Sequence, residues 1–240
     1  MKIMIINPDC GVTEEAMALR CRILKEYVAQ DTELYMACPQ ESGVELNSAL
    51  DAVLAAPEIV NIAVDAQNAG FDAVVLYCFS DPAIDACREA LRIPVIGGAQ
   101  AACLSALNVC RSFGVMLADG QRLPEKKRFL RTLGVDPSCI AQIAAADLSG
   151  VDPWQDRELT MVRLAECGQQ MVAEGAEAIV LGCLSFLGLA QPLAEMLGVP
   201  VIDPAVAAVC TAESTVRQNL LTSKISYPLL CNLAKERIVE

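Results

Sequence analysis

The sequence predicts an α/β protein of two pseudosymmetric domains, each a parallel sheet with flanking helices, and an active site in the cleft between them. Three observations predict it. Short apolar, β-branched runs alternate with helical patterns, as parallel βαβ units require. Of the 240 residues, 54% are hydrophobic but only 4% aromatic, a balance suited to Ala, Val, Leu and Ile packing helices on sheets. Finally, part of the chain repeats. Gly70-Phe71-Asp72-Ala73-Val74-Val75-Leu76-Tyr77-Cys78 aligns without gaps on Gly175-Ala176-Glu177-Ala178-Ile179-Val180-Leu181-Gly182-Cys183, an offset of 105 residues. One residue of slack later, Ile93-Pro94-Val95-Ile96 matches Val199-Pro200-Val201-Ile202, and the opening strand Lys2–Ile6 corresponds to Ser112–Met116.

The elements follow in order. Lys2–Ile6 is a strand, and Thr13–Gln30 a helix capped by Thr13 with Glu14 and Glu15 in its first turn. Leu34–Ala37 is a short strand, Ser48–Ala69 a helix kinked at Pro57, and Ala73–Cys78 a strand. Pro82–Leu91 is a helix with Asp81 as its cap, Pro94–Ile96 a strand, Gln100–Cys110 a helix and Phe113–Leu117 a strand. Pro124–Leu133 and Pro153–Glu174 are helices, Ala178–Cys183 a strand, Leu187–Leu197 a helix with Ser185 near its start, and Val199–Ile202 a strand. Ala205–Leu221 is the last helix, with Asp203 and Pro204 opening it, before a less patterned tail. The expected domains are residues 1–98 with 206–240 and residues 99–205.

Composition narrows the function. Eighteen Lys and Arg against thirty Asp and Glu leave a net charge of −12, which repels phosphate backbones, so nucleic acid is not expected as a partner. The longest apolar runs, Ala73–Phe79 and Ala178–Leu184, fall far short of the roughly 20 residues that span a bilayer, so no membrane segment is expected. The opening apolar stretch is too short for a secretory signal, and the cytoplasm is the expected compartment. The basic cluster Arg122, Lys126, Lys127, Arg128 and Arg131 reads as a solvated helix face, and Trp154 as a packing residue.

Twelve cysteines and no histidine stand out. No CxxC spacing occurs, so zinc-ribbon and thioredoxin-type motifs are absent, and no metal site is expected. Most thiols, Cys10 included, read as small hydrophobes or bystanders. Without histidine, Ser-His-Asp and Cys-His catalysis are excluded, and acid/base work falls to thiols, carboxylates, Lys or Tyr. Cys78 and Cys183 occupy matched ends of strands in the two halves, where parallel sheets bind ligands. Inverting a carbon centre by proton transfer needs a base on one face and an acid on the other. Two like residues at equivalent positions supply both and exchange roles in reverse. A thiol of pKa near ~8.5 is mostly protonated at neutrality, and lowering it by two units takes about 2.7 kcal/mol. A helix N-terminus contributes about 0.3–1 kcal/mol, so backbone N–H groups must supply the rest.

At these residues the sequence resembles the aspartate/glutamate/hydantoin racemase superfamily, closest to its hydantoin and allantoin racemase branch. The resemblance runs from Ile6-Asn7-Pro8 through Cys78-Phe79-Ser80-Asp81-Pro82 to Gly182-Cys183 and Val199-Pro200-Val201-Ile202-Asp203. It implies cofactor-independent, two-base racemisation with Cys78 and Cys183 as the acid/base pair. It also implies ligand contacts from Asn7, Phe79, Ser80, Asp81, Gly182 and Leu184, a small-molecule substrate and a homo-oligomer. Relatives acting on acidic amino acids usually place Asn-Thr after the first cysteine and Thr-His after the second. Phe79-Ser80 and Leu184-Ser185 stand here instead, which favours a hydantoin or allantoin ring. Such a ring acidifies its stereogenic hydrogen through the adjoining carbonyl and nitrogens, so pyridoxal is not needed. The alternatives are an acidic amino-acid racemase or another isomerase or decarboxylase of the superfamily, and, in a different class, a non-catalytic small-molecule binding module.

Overall fold

The computed structural model describes residues 1–229. Cys231 and the last part of the tail lie outside them. Eight strands and eight α-helices alternate among the described residues. The first unit holds β1 (Lys2–Ile6), α1 (Glu14–Lys25), β2 (Glu33–Ala37), α2 (Ala49–Asn68), β3 (Ala73–Leu76), α3 (Ile84–Ala90) and β4 (Val95–Gly97). The second holds α4 (Gly98–Ala106), β5 (Phe113–Leu117), α5 (Leu123–Leu130), β6 (Ile140–Ala145), α6 (Arg157–Ala173), β7 (Ala178–Leu181), α7 (Ala190–Leu197) and β8 (Val201–Ile202). The chain divides at Gly97/Gly98 and again at Ala207/Ala208, inside α8 (Pro204–Arg217), from where it belongs to the first unit.

Each unit contains a four-stranded parallel sheet, ordered β2-β1-β3-β4 in the first and β6-β5-β7-β8 in the second. The orders are the same once the repeat is applied. The central strands β3, β5 and β7 are buried at every residue, as expected where helices cover both faces. Ile59, Ala63 and Ala66 of α2 pack with Val74 and Leu76 in one core, and Leu164, Cys167 and Met171 of α6 with Met116, Ile179 and Leu181 in the other. One clamp recurs at the entry to both sheets. The Asp72 carboxylate accepts the Lys2 amide at 2.7 Å while the Asp72 amide donates to the Lys2 carbonyl at 2.8 Å. At the aligned position, Glu177 accepts the Arg111 and Ser112 amides at 2.9 and 3.1 Å and donates its own to the Ser112 carbonyl at 3.0 Å.

Several element boundaries differ from the sequence expectation. Thr13 does cap α1, its hydroxyl accepting the Ala16 amide, but the helix ends at Lys25, whose ammonium turns back onto the Ala29 and Gln30 carbonyls. Pro57 does not interrupt α2; Val53, whose carbonyl loses its partner to the proline ring, lies on the exposed face. β6 is a strand that the Ala-rich Ile140–Ala145 segment conceals, since alanine has little strand preference and the strand exists through pairing with β5. Lys126 is not part of a solvated face: it is buried, with its ammonium 5.4 Å from the centre of the Phe129 ring. Trp154 packs under the Arg157 guanidinium, 5.2 Å from the ring centre.

Glu58 on α2 holds the loop beyond β2 by accepting the amides of Gln40, Glu41 and Ser42. Partial burial acts to raise its carboxyl, but the three N–H donors outweigh it and leave the group below the usual carboxylate value. A depressed value means stabilisation that is present above the unfolded pKa of about 4.3 and lost as pH falls through the folded one. Amide-exchange protection at residues 40–42 is expected to drop in Glu58→Gln at neutral pH and in the parent protein as pH falls through the folded Glu58 value. Unchanged protection in both would remove Glu58 as the anchor.

Candidate active site

The two candidate cysteines sit at register-equivalent places in their own sheets. Ile6 pairs with Leu76 in the first sheet and Met116 with Leu181 in the second. Cys78 and Cys183 each follow that pair by two residues, so both strands stop short of the predicted ends. The link is built alike in both: the Tyr77 amide donates to the Ile6 carbonyl at 2.8 Å and the Gly182 amide to the Met116 carbonyl at 2.6 Å. Each cysteine is therefore held just beyond the carboxyl edge of a sheet and is half-buried, Cys78 between buried Tyr77 and Phe79 and Cys183 between half-buried Gly182 and buried Leu184.

The loops that follow differ. In the first, the Cys78 amide donates to the Leu76 carbonyl at 3.0 Å and the Asp81 amide to the Cys78 carbonyl at 3.3 Å. Asp81 does not cap the next helix and Pro82 does not begin it. α3 starts at Ile84 behind Ala83, and both Asp81 (φ 43°) and Ala83 (φ 57°) are left-handed. A left-handed alanine costs about 1–2 kcal/mol, so Ala83→Gly is expected to raise unfolding stability by about 0.5–1 kcal/mol in denaturant titration. In the second loop, Cys183 itself stands before a single 3-10 turn, Leu184–Phe186, with Ser185 inside the turn, and α7 begins only at Ala190. Neither cysteine is at the start of an α-helix, and a macrodipole can contribute little to either thiol.

Asn7 follows β1, the neighbour of β3, and is buried, its amide donating to the Ala37 carbonyl at 2.9 Å and its side-chain oxygen accepting the Asp9 amide at 3.2 Å. Asn7, Cys78, Phe79, Ser80 and Asp81 thus share the carboxyl edge of the first sheet, while Gly182, Cys183 and Leu184 occupy that edge of the second. Phe79, Asp81 and Leu184 are buried and Ser80 and Gly182 half-buried. Behind Cys78, the Arg20 guanidinium stands 5.7 Å over the Tyr77 ring. Around the Cys183 loop, Arg157 donates to the Leu187 carbonyl at 3.1 Å and Asp203 accepts the Gly188 amide at 3.0 Å. These supporting groups were not identified as such from sequence; the only signal was the Asp203-Pro204 pair, which reads as a cap.

Burial shields several of the other thiols. Burial pushes Cys87 up to about 12 and Cys21 to about 11, and raises Cys167 and Cys210 as well. Burial thus favours the protonated form of these four thiols at neutral pH. Among the described residues no cluster of acidic residues and cysteines could hold a metal ion, and no helix is long and apolar enough to cross a membrane.

A family model described as Asp/Glu/Hydantoin racemase matches residues 3–212. The chain is 30% identical over 242 residues to the hydantoin racemase of Rhizobium meliloti, with 99% of each chain covered. Among solved structures, it is similar to the allantoin racemase of Klebsiella pneumoniae, with a TM-score of 0.84 and 29% identity over 97% of this chain and 94% of that one. It is likewise similar to the allantoin racemase of Pseudomonas fluorescens, with a TM-score of 0.87 and 25% identity over 97% of both chains. With the duplicated parallel sheets and this match along most of its length, the chain belongs to the Asp/Glu/Hydantoin racemase family, a family of isomerases.

Proposed function

We propose that this protein is a cofactor-independent racemase of 5-substituted hydantoins or of allantoin, with Cys78 and Cys183 as its acid/base pair. The observation that carries the reading is the equivalence of the two cysteines. Each lies two residues past the last register pair of a central strand, half-buried just beyond the carboxyl edge of its own sheet. The names of its relatives supply the substrate class, and Phe79-Ser80 and Leu184-Ser185 favour a neutral ring over a second carboxylate.

One thiolate removes the hydrogen from the ring carbon, leaving an enolate, and the other thiol returns a hydrogen from the opposite face. The electron pair of the C–H bond moves into the adjoining carbonyl and comes back on reprotonation, so nothing is oxidised or reduced. The products are the opposite enantiomer and an enzyme with its thiol and thiolate exchanged. Hydrogen-bond donors in the two cysteine loops, together with Asn7, orient the ring and stabilise its developing negative oxygen. Single enantiomers of 5-benzylhydantoin and of allantoin, incubated with the enzyme in deuterium oxide, test this. Expected is loss of optical rotation with one solvent deuterium at the stereocentre, faster than in an enzyme-free blank. Retention of rotation with both rings, alongside turnover of aspartate or glutamate, would overturn the substrate class. Retention with all four would overturn racemisation itself.

A further inference from the structure

A buried carboxyl lies between each cysteine loop and the end of the fourth strand of its own sheet, packed against the strand end in the first unit and hydrogen-bonded to the loop in the second. In the first unit, the carboxylate belongs to the loop. Asp81, three residues after Cys78, lays its carboxyl against Gly97, the last residue of β4. A Cβ added to Gly97 would lie 2.3 Å from the Asp81 Cγ and Oδ2 and 2.7 Å from its Oδ1. In the second unit, the carboxylate belongs to the strand end. Asp203 directly follows β8 and reaches the loop, where its Oδ2 accepts the amide of Gly188, five residues after Cys183, at 3.0 Å. Its Oδ1 accepts the Ala205 amide at 2.9 Å and the Val206 amide at 3.4 Å, so one side chain ties the loop to the first turn of α8. Both carboxylates are buried, 4% exposed at Asp81 and 7% at Asp203.

A left-handed residue stands at each of these contacts, Asp81 itself at φ 43° and Gly188 at φ 81°. A conformation of that kind persists in a non-glycine residue only where its surroundings hold it. At Gly188, a guanidinium closes the other side: Arg157 donates to the Leu187 carbonyl at 3.1 Å, and a Cβ on Gly188 would meet its Nη2 at 3.5 Å. Gly97 is glycine because the carboxyl of Asp81 occupies the place of its side chain.

We infer that Asp81 and Asp203 are positioning residues, each setting the thiol of its own half through the loop it anchors. This moves Asp81 from the ligand-contact role that the family resemblance implies to a supporting one. Its kinetic consequence rests on the two-thiol reading above; its structural consequence does not. The prediction is one of side. Changes at the Asp203–Gly188 anchor alter Cys183 and spare Cys78, and changes at the Asp81–Gly97 anchor do the reverse.

The test uses Asp203→Asn and Gly97→Ala in the full chain, with iodoacetamide as probe and peptide mass spectrometry to read each cysteine. An asparagine offers one oxygen where Asp203 uses two, so it keeps either the Gly188 bond or the helix bonds. The methyl of Gly97→Ala displaces the Asp81 carboxyl. Expected in Asp203→Asn is a change of about threefold or more in the Cys183 alkylation rate across pH 6–9, with Cys78 within about 1.5-fold of the parent. Gly97→Ala gives the opposite pattern. In both, kcat falls by about tenfold while KM moves less than about twofold, because the reacting groups are misplaced and the binding surface is kept. If either variant does not fold, as judged by thermal melting, Gly188→Ala replaces the first and Asp81→Asn the second. Rates at the two cysteines that change together, or not at all, would overturn the inference. Side-selective alkylation with unchanged racemisation would uphold it and count instead against the thiol pair as acid and base.

Discussion

Replacing Cys78 or Cys183 singly by serine is expected to lower racemisation by about a thousandfold or more, which corresponds to about 4 kcal/mol of lost transition-state stabilisation. A hydroxyl occupies nearly the same space as the thiol but does not ionise near neutrality, so each variant keeps the fold and loses one proton-transfer group. The loss should be directional. With one thiol left, hydrogen is removed from one face only and returned to that same face. Cys78→Ser and Cys183→Ser should therefore exchange solvent deuterium into opposite enantiomers without inverting either. Deuterium exchange followed by chiral chromatography distinguishes the pattern from general damage. A serine variant at either position that racemises at the parent rate ends the two-base scheme. Core thiols provide the control: Cys87→Ser, at a fully buried position, should cost stability and leave the exchange pattern symmetric.

The second large effect is expected at Gly182→Ala. The residue directly before Cys183 lies so close to β5 that an added Cβ would fall 2.8 Å from the Met116 carbonyl oxygen, 2.7 Å from the Leu117 Cδ2 and 3.2 Å from its Cα. Backbone stands in the way on one side, so a rotamer change at Leu117 relieves only part of the overlap. The central strand has to part from its neighbour, and the 2.6 Å bond from the Gly182 amide to the Met116 carbonyl goes with it. A stability loss of about 3 kcal/mol is expected, at the upper end of overpacking costs. Misplacing the adjoining cysteine by an ångström adds about a hundredfold loss of kcat in the fraction that folds. Denaturant titration and kcat per folded molecule measure the two separately. A variant with the parent's stability would show that β5 and β7 can separate at little cost.

Gly182 also shows how the two halves diverge beneath their repeat. Its aligned residue is Tyr77, a large buried side chain under the Arg20 guanidinium. In the first unit that space belongs to the tyrosine ring; in the second, Leu117 fills it from the neighbouring strand. The alignment makes the two positions visible, but which side chain supplies the packing is set between strands.

Much of the architecture was legible because burial writes a local pattern. The fully apolar Ala73–Leu76 and Ala178–Leu181 can only be central strands of a covered sheet, and their repetition with matched cysteines indicates a duplication. Thr13 and Asp203 announce helix starts through bonds that reach two or three residues along the chain. What the tertiary structure alone decided depends on residues far apart in sequence. The strand pairing that makes Ile140–Ala145 a strand comes from β5, more than 20 positions earlier. The left-handed Asp81 is held against Gly97, Lys126 is buried despite its charge, and the second oxygen of Asp203 is spent on Gly188 rather than on its own helix. A one-dimensional pattern records which side chains avoid water; it carries no record of which distant backbone group a carboxylate such as that of Asp203 will meet.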